Sequence, residues 1–114
     1  MDRGQIARAN LRREKYYRGL QNLLGPHDLL CLPTTPAPAP LKGTLGDDRT
    51  SPALQTYYPR TLSLTAIAGL GKLPQVSLPL ADLNGAPLGL SLLAAHGNDA
   101  FLLAAMQQVD NFSP

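Results

Sequence analysis

Residues 73 to 93, "LPQVSLPLADLNGAPLGLSLL", hold two apolar runs hinged on Asn84-Gly85, a dipeptide suited to a two-residue hairpin turn. A turn at that place sets Leu80 opposite Gly89 and Leu78 opposite Ser91. In this register Val76, Leu78, Leu80 and Leu93 share one face, while Leu88, Leu90 and Leu92 share the other with Ser77 and Pro79. Both faces are mainly apolar. A sheet of that kind buries itself only if helices cover it on both sides, so the hairpin points to an α/β domain.

The rest of the chain supplies three candidate helices and one further strand. Residues 3 to 24 read as a helix stopped by Gly25-Pro26, with Leu20, Leu23 and Leu24 at helical spacing. "DLLCL" (28 to 32) is short, apolar and bounded by turn formers, which predicts a buried central strand. "PTTPAPAP" (33 to 40) then forbids regular structure, because each proline removes a donor and fixes its own φ. Residues 33 to 60 are expected to form a long loop, followed by a short helix from Arg60 to Ala68. Loops of that length inside a compact domain are unusual. Strands are predicted near 75 to 80 and 88 to 93, and a closing helix is expected with Asn98 or Asp99 as N-cap and Phe101, Leu102, Ala105 and Val109 on one side.

This inventory does not close on itself. The 114 residues allow one domain at most, and a chain of this size buries only about two thirds of its unfolded surface. Three helices and three strands do not supply two full covering layers and a closed sheet edge. The expectation is therefore that residues 1–114 are one segment of a larger domain.

The chemistry-bearing residues are sparse. A net charge of +2 is too small to imply a nucleic-acid or membrane partner. Arg3, Arg8, Arg12, Arg13, Lys15 and Arg18 cluster in the first helix and read as a solvated helix face, with a phosphate-binding surface as the weaker reading. No apolar run approaches the roughly 18 residues of a membrane span, which makes the cytoplasm the expected compartment. Cys31 in "LLCL" is expected to be buried and inert. Two histidines and one cysteine at wide spacing form no metal cluster, and no cofactor is implied. "GLGK" (69 to 72) lacks the length of a phosphate loop and reads as a turn between helix and strand. Asp47-Asp48 reads as a solvated loop pair, and none of the five serines sits in a G-x-S-x-G elbow.

In order, "LLCLPTTPAPAP" and "LTAIAGLGKLPQVSLPLADLNGAPLGLSLLAAHGNDAFLLAA" resemble the C-terminal region of the amidase signature family. That region reads as a strand ending in P-T-x-P and A-P, then L-P-x-x-S-x-P, then P-x-G-L-x-L and a closing D-x-x-L-L helix. The matching positions are Pro33, Thr34, Pro36, Ala39, Pro40, Leu73, Pro74, Ser77, Pro79, Pro87, Gly89, Leu90, Leu92, Asp99, Leu102 and Leu103. The resemblance implies the C-terminal part of the family's mixed-sheet α/β fold: three helices, a strand and a β-hairpin. It implies hydrolysis of carboxamides in the complete enzyme through a lysine, a bridging serine and a nucleophilic serine that forms an acyl-enzyme.

Those catalytic residues lie upstream in the family, and no Gly-Gly-Ser-Ser stretch exists in this chain, so no catalytic residue is assigned here. Thr34 and Thr35 are the substrate-pocket candidates, since the loop after this strand lies beside the acyl pocket in the family. Capping a turn is the equal alternative for both hydroxyls. The implied partners are the N-terminal remainder of the amidase, or a second copy of the chain, and a small-molecule amide. "TAIAGLGKLP" (65 to 74) departs from the family's T-x-P-x-N-x-x-G-L-P at Ile67, Gly69 and Lys72. In this it resembles the indole-acetamide hydrolase-like subgroup and its non-catalytic import-receptor relatives. A non-catalytic interaction module of that type is therefore the alternative function. A small independent hydrolase using Ser77 or Ser91 with Lys72 is the third reading.

Overall fold

The computed structural model describes residues 1–45 and 51–111, so the Asp47-Asp48 pair lies outside the described residues. The elements follow the order α1 (Arg3–Leu23), β1 (Leu29–Pro33), α2 (Pro52–Gly71), β2 (Gln75–Leu83), β3 (Ala86–Ala94) and α3 (Asp99–Asn111). The strands form one antiparallel sheet in the order β1-β3-β2.

The hairpin turns at Asn84 (φ 54) and Gly85 (φ 85), the two positive-φ positions of a tight two-residue turn. Its first pairs are Leu83↔Ala86, Asp82↔Pro87 and Ala81↔Leu88, and the ladder then resumes at Leu78↔Leu90 and Ser77↔Ser91. Pro79 and Leu80 thus stand against Gly89 alone, which is a β-bulge on β2. Proline is tolerated there because a bulge leaves one residue outside the ladder. The extra residue overturns the register expected from an unbroken hairpin. Leu78 faces Leu90 rather than Ser91, and Val76 pairs with Leu92. Leu93 moves to the opposite face, paired with Gln75.

Helices cover both faces, as leucine on both requires. On one side α3 packs Leu102 against Leu78, Leu92 and Ala94, flanked by Val76, Leu80, Phe101, Met106 and Val109. On the other, Leu93 is wholly buried with Leu24 and Leu73. Leu20 of α1, Leu30 and Leu32 of β1, and Ile67 and Ala68 of α2 complete that second core. The first turn of α3 is held by backbone hydrogen bonding. Asn98 C=O accepts from Leu102 N–H (3.0 Å), while its Nδ2 donates to Pro26 C=O (2.8 Å).

Three expectations need correction. β3, not β1, is the central strand, because among the described residues only β3 pairs on both edges. β1 exposes alternate residues, so Cys31 is exposed rather than buried. The second helix begins at Pro52 instead of Arg60. Pro52 sits in the first turn, where no N–H is needed, and the helix continues through Pro59 although a proline forfeits an interior bond. It ends as the "GLGK" turn requires: Lys72 is left-handed (φ 52), and Leu73 N–H returns to Ala68 C=O (2.9 Å).

α1 begins with a reciprocal cap. Asp2 accepts from Gln5 N–H (2.7 Å), and the Gln5 side chain accepts from Asp2 N–H (2.9 Å). It meets α2 at Gly71, whose carbonyl accepts from Gln21 Nε2 (3.0 Å). A Cβ on Gly71 would lie 2.6 Å from Leu20 Cδ1 and 3.0 Å from Leu73 Cγ, whereas one on Gly69 would meet nothing within 4 Å. Gly71→Ala is therefore expected to destabilise by about 1–3 kcal/mol. Gly69→Ala, on an open helix surface, is expected to be neutral or stabilising by up to about 1 kcal/mol. Denaturant titration of the two variants checks this, and equal effects would refute the close α1–α2 contact.

Candidate functional site

The bulge has a chemical consequence. By restoring the ladder one residue out of step, it sets Ser77 directly opposite Ser91. β1 brings Thr34 to the same place: its N–H donates to Gly89 C=O (2.9 Å), extending the β1–β3 ladder by one bond. Three hydroxyls then meet. Ser91 Oγ lies 2.7 Å from Thr34 Oγ1 and 3.2 Å from Ser77 Oγ, and Thr34 Oγ1 donates to Ser77 Oγ at 3.4 Å. Gln75 Nε2 donates to Ser91 Oγ (2.9 Å).

Ser91 is 1% exposed and is the only buried polar residue among those described. Burying a hydroxyl is tolerated because its hydrogen-bonding capacity is filled. Gly89 makes the assembly possible. A Cβ there would stand 2.9 Å from Thr34 Oγ1 and 3.2 Å from Thr34 Cβ, so a side chain would push Thr34 away from the serines.

The outer side of this cluster is an open depression of about 330 Å³, lined by Thr34, Thr35, Ser77, Leu78, Pro79, Pro87, Leu88 and Gly89. Both pocket candidates line it, but their hydroxyls differ. Thr35 Oγ1 donates to Ala37 C=O (2.8 Å) and closes a local turn in the proline-rich segment. Thr34 Oγ1 belongs to the serine cluster. Lys72 is engaged elsewhere, with its ammonium 4.8 Å from the centre of the Tyr17 ring. His96 Nδ1 donates to the Lys72 carbonyl (2.7 Å). The serine–lysine grouping of the third reading is therefore not assembled.

Sequence reasoning reaches Thr34 and Ser77 but misses Ser91 and Gln75 as their partners. The signal available is Pro79 beside Gly89, a residue pair that favours a bulge and so a shifted register. Among the described residues, no group of three or more His, Cys, Asp or Glu could hold a metal ion. No helix among them is long and apolar enough to cross a membrane.

A family model described as Amidase matches residues 2–103. Amidase 1 of Oryza sativa subsp. japonica is 38% identical over 97 residues, covering 85% of this chain and 21% of the relative. A glutamyl-tRNA(Gln) amidotransferase chain of Methanothermobacter thermautotrophicus is 34% identical over 103 residues, covering 90% of this chain and 20% of the relative. A crystal structure of an amidase superposes on 100% of this chain and 26% of its own, with a TM-score of 0.76 and 27% identity. The chain belongs to the amidase family. It spans about a fifth of the length of the curated relatives it matches.

The contacts around Gly89 give a direct prediction. Gly89→Ala is expected to displace Thr34 and cost about 1–3 kcal/mol, the usual penalty for overfilling a packed site. Thermal unfolding together with a crystal structure of the variant would check it. Unchanged stability with Thr34 still bonded to Ser91 would show that Gly89 is not what seats Thr34.

Proposed function

We propose that this chain is the C-terminal segment of an amidase and forms one wall of its acyl pocket, while the catalytic residues lie on the remainder of the domain. The observation that carries this reading is unsatisfied surface. The chain exposes 8382 Å², whereas a compact monomer of 12.2 kDa exposes about 6,100 Å². Its extents of 45 × 39 × 16 Å describe a slab rather than a ball. Leu11, Tyr16, Leu23, Leu62 and Leu83 are each more than half exposed. In the complete fold the missing layers would cover those side chains.

In the proposed reaction a neutral lysine withdraws a proton through the bridging serine, and the second serine attacks the amide carbonyl. Ammonia leaves, water then releases the carboxylate, and backbone N–H groups of a glycine-rich loop hold the oxyanion. The present chain contributes late sheet strands and, at the end of β1, the Thr34–Thr35 wall. Family membership and the position of the depression beside the hairpin support this mechanism and this pocket.

A chimera tests it. In Oryza Amidase 1 the matching segment, 21% of that protein, is replaced by this chain. The chimera is expected to hydrolyse carboxamides, and this chain alone is expected not to, because loss of catalytic-triad members in serine hydrolases typically removes about 10⁴ to 10⁶ in rate. Turnover by the isolated chain that disappears in Ser77→Ala would overturn the proposal.

The same exposed surface predicts association. Among the described residues, β1 and β2 each pair with a neighbour on one edge only, and unpaired strand edges recruit further strands. The isolated chain is expected to form dimers or larger species between about 10 and 200 µM by sedimentation, given its small net charge of +2. A monodisperse monomer with strongly protected strand amides would mark a self-sufficient domain instead.

A further inference from the structure

The hydroxyl cluster behind the depression has a direction, which follows from counting protons. Gln75 Nε2 occupies one acceptor site on Ser91 Oγ. Thr34 has a single hydroxyl proton and donates it to Ser77, at 3.4 Å. With that donation in place, the 2.7 Å contact between Thr34 and Ser91 is filled by the Ser91 proton. Ser91 has no proton left for Ser77, so the 3.2 Å contact is a donation from Ser77 to Ser91. The donations run from Gln75 to Ser91, then Thr34, then Ser77, and close back onto Ser91.

Two features of this arrangement bear on a bound molecule. Its shortest link, from Ser91 to Thr34, starts at the buried Ser91, and accepting a strong hydrogen bond polarises a hydroxyl so that it donates better. Its longest link, from Thr34 to Ser77, lies at the mouth of the depression. Turning the Thr34 proton outward breaks only that long contact and leaves the Ser91 donation in place.

We propose that Ser91, backed by Gln75, is a positioning residue that holds the Thr34 hydroxyl as a donor to an oxygen acceptor on the acyl part of the amide substrate. The inference rests on the pocket reading above and narrows it to amides that carry a hydrogen-bond acceptor, such as an ether, carbonyl or hydroxyl oxygen, in the acyl group. Thr35 has no such part, because its hydroxyl is committed to Ala37.

The test is a double-mutant cycle in the chimera that carries this chain. The quantity read is the ratio of kcat/KM for an acceptor-bearing amide to that for its alkyl isostere. Thr34→Val is expected to lower this ratio about tenfold, chiefly through KM, the usual worth of one hydrogen bond. Ser91→Ala is expected to lower it about threefold to tenfold, and to add nothing once Thr34→Val is present. Gln75→Met removes the outermost donor without emptying the buried position, and is expected to give a smaller fall in the same direction; it serves where Ser91→Ala does not fold.

A ratio unmoved by Thr34→Val sinks the pocket reading, and this inference with it. A ratio moved by Thr34→Val but not by Ser91→Ala or Gln75→Met sinks the inference alone. So do Ser91 and Thr34 effects that multiply independently, or a Ser91→Ala variant whose only change is a lowered Tm.

Discussion

One residue too many in β2 decides what the rest of this segment can be. With Pro79 and Leu80 set against Gly89, the two ends of the hairpin are out of step by one position. A one-residue slip sends every side chain beyond it to the other face of the sheet. Val76 and Leu78 join Leu92 beneath α3, and Leu93 joins the core under α1 and α2. The same slip aligns Ser77 with Ser91. Had the ladder run unbroken, Ser91 would have faced a leucine, and its hydroxyl would have been buried without the second serine. Packing and polar chemistry therefore share one origin, and the bulge cannot be removed to suit either alone.

This also explains which parts of the fold are legible from residues. Periodicity and stop signals place α1 and α3 to within a residue or two, because Gly25-Pro26 and the Asn98–Asp99 start act locally. The Asn84-Gly85 turn is equally local. Register beyond it is not, since Leu, Ser and Pro alternate compatibly with either phase and only the paired strand selects one. α2 is longer than its sequence signals for the opposite reason. Pro59 is a strong local breaker, yet the helix runs through it, and beyond it Ile67, Ala68 and Gly71 pack into the core with Leu20, Leu24 and Leu73. Cys31 departs from expectation because an apolar pentapeptide does not reveal whether its strand is central or at an edge. Of the site, Thr34, Thr35 and Ser77 are visible as motif residues. Ser91 and Gln75 are not, because their role exists only once the bulge has fixed the pairing.

The two covering layers differ in how far they extend. α3 lies along β2 and β3 and closes most of one face, leaving Leu102 only 2% exposed. On the other face α1 and α2 meet at Leu20 and Gly71, so their joint cover is concentrated at the end of the sheet holding Leu30 and Leu93. The Thr34 end, where Ser77 is exposed, is the less covered one. A sheet fully apolar on that face would leave leucines in water at this end. Hydroxyls instead give a surface that tolerates solvent and can still pack against a further layer.

The chemistry of that wall suits the reaction proposed for the complete domain. Every side chain lining the depression is neutral over the whole working pH range: two threonines, one serine, two leucines, two prolines and a glycine. A lysine that must stay uncharged to accept a proton is sensitive to fixed charge nearby. A carboxylate about 10 Å away, at an effective dielectric constant of about 20, would favour the ammonium form by roughly 1.7 kcal/mol, more than one pKa unit. Recognition through hydroxyl dipoles avoids that penalty, since dipolar fields fall off faster with distance than those of charges. A polar contact to substrate made here by neutral groups such as Thr34 and Ser77 would add no negative charge to hold that lysine as an ammonium, and the hydrogen bonds with Ser91 would orient such groups without introducing one.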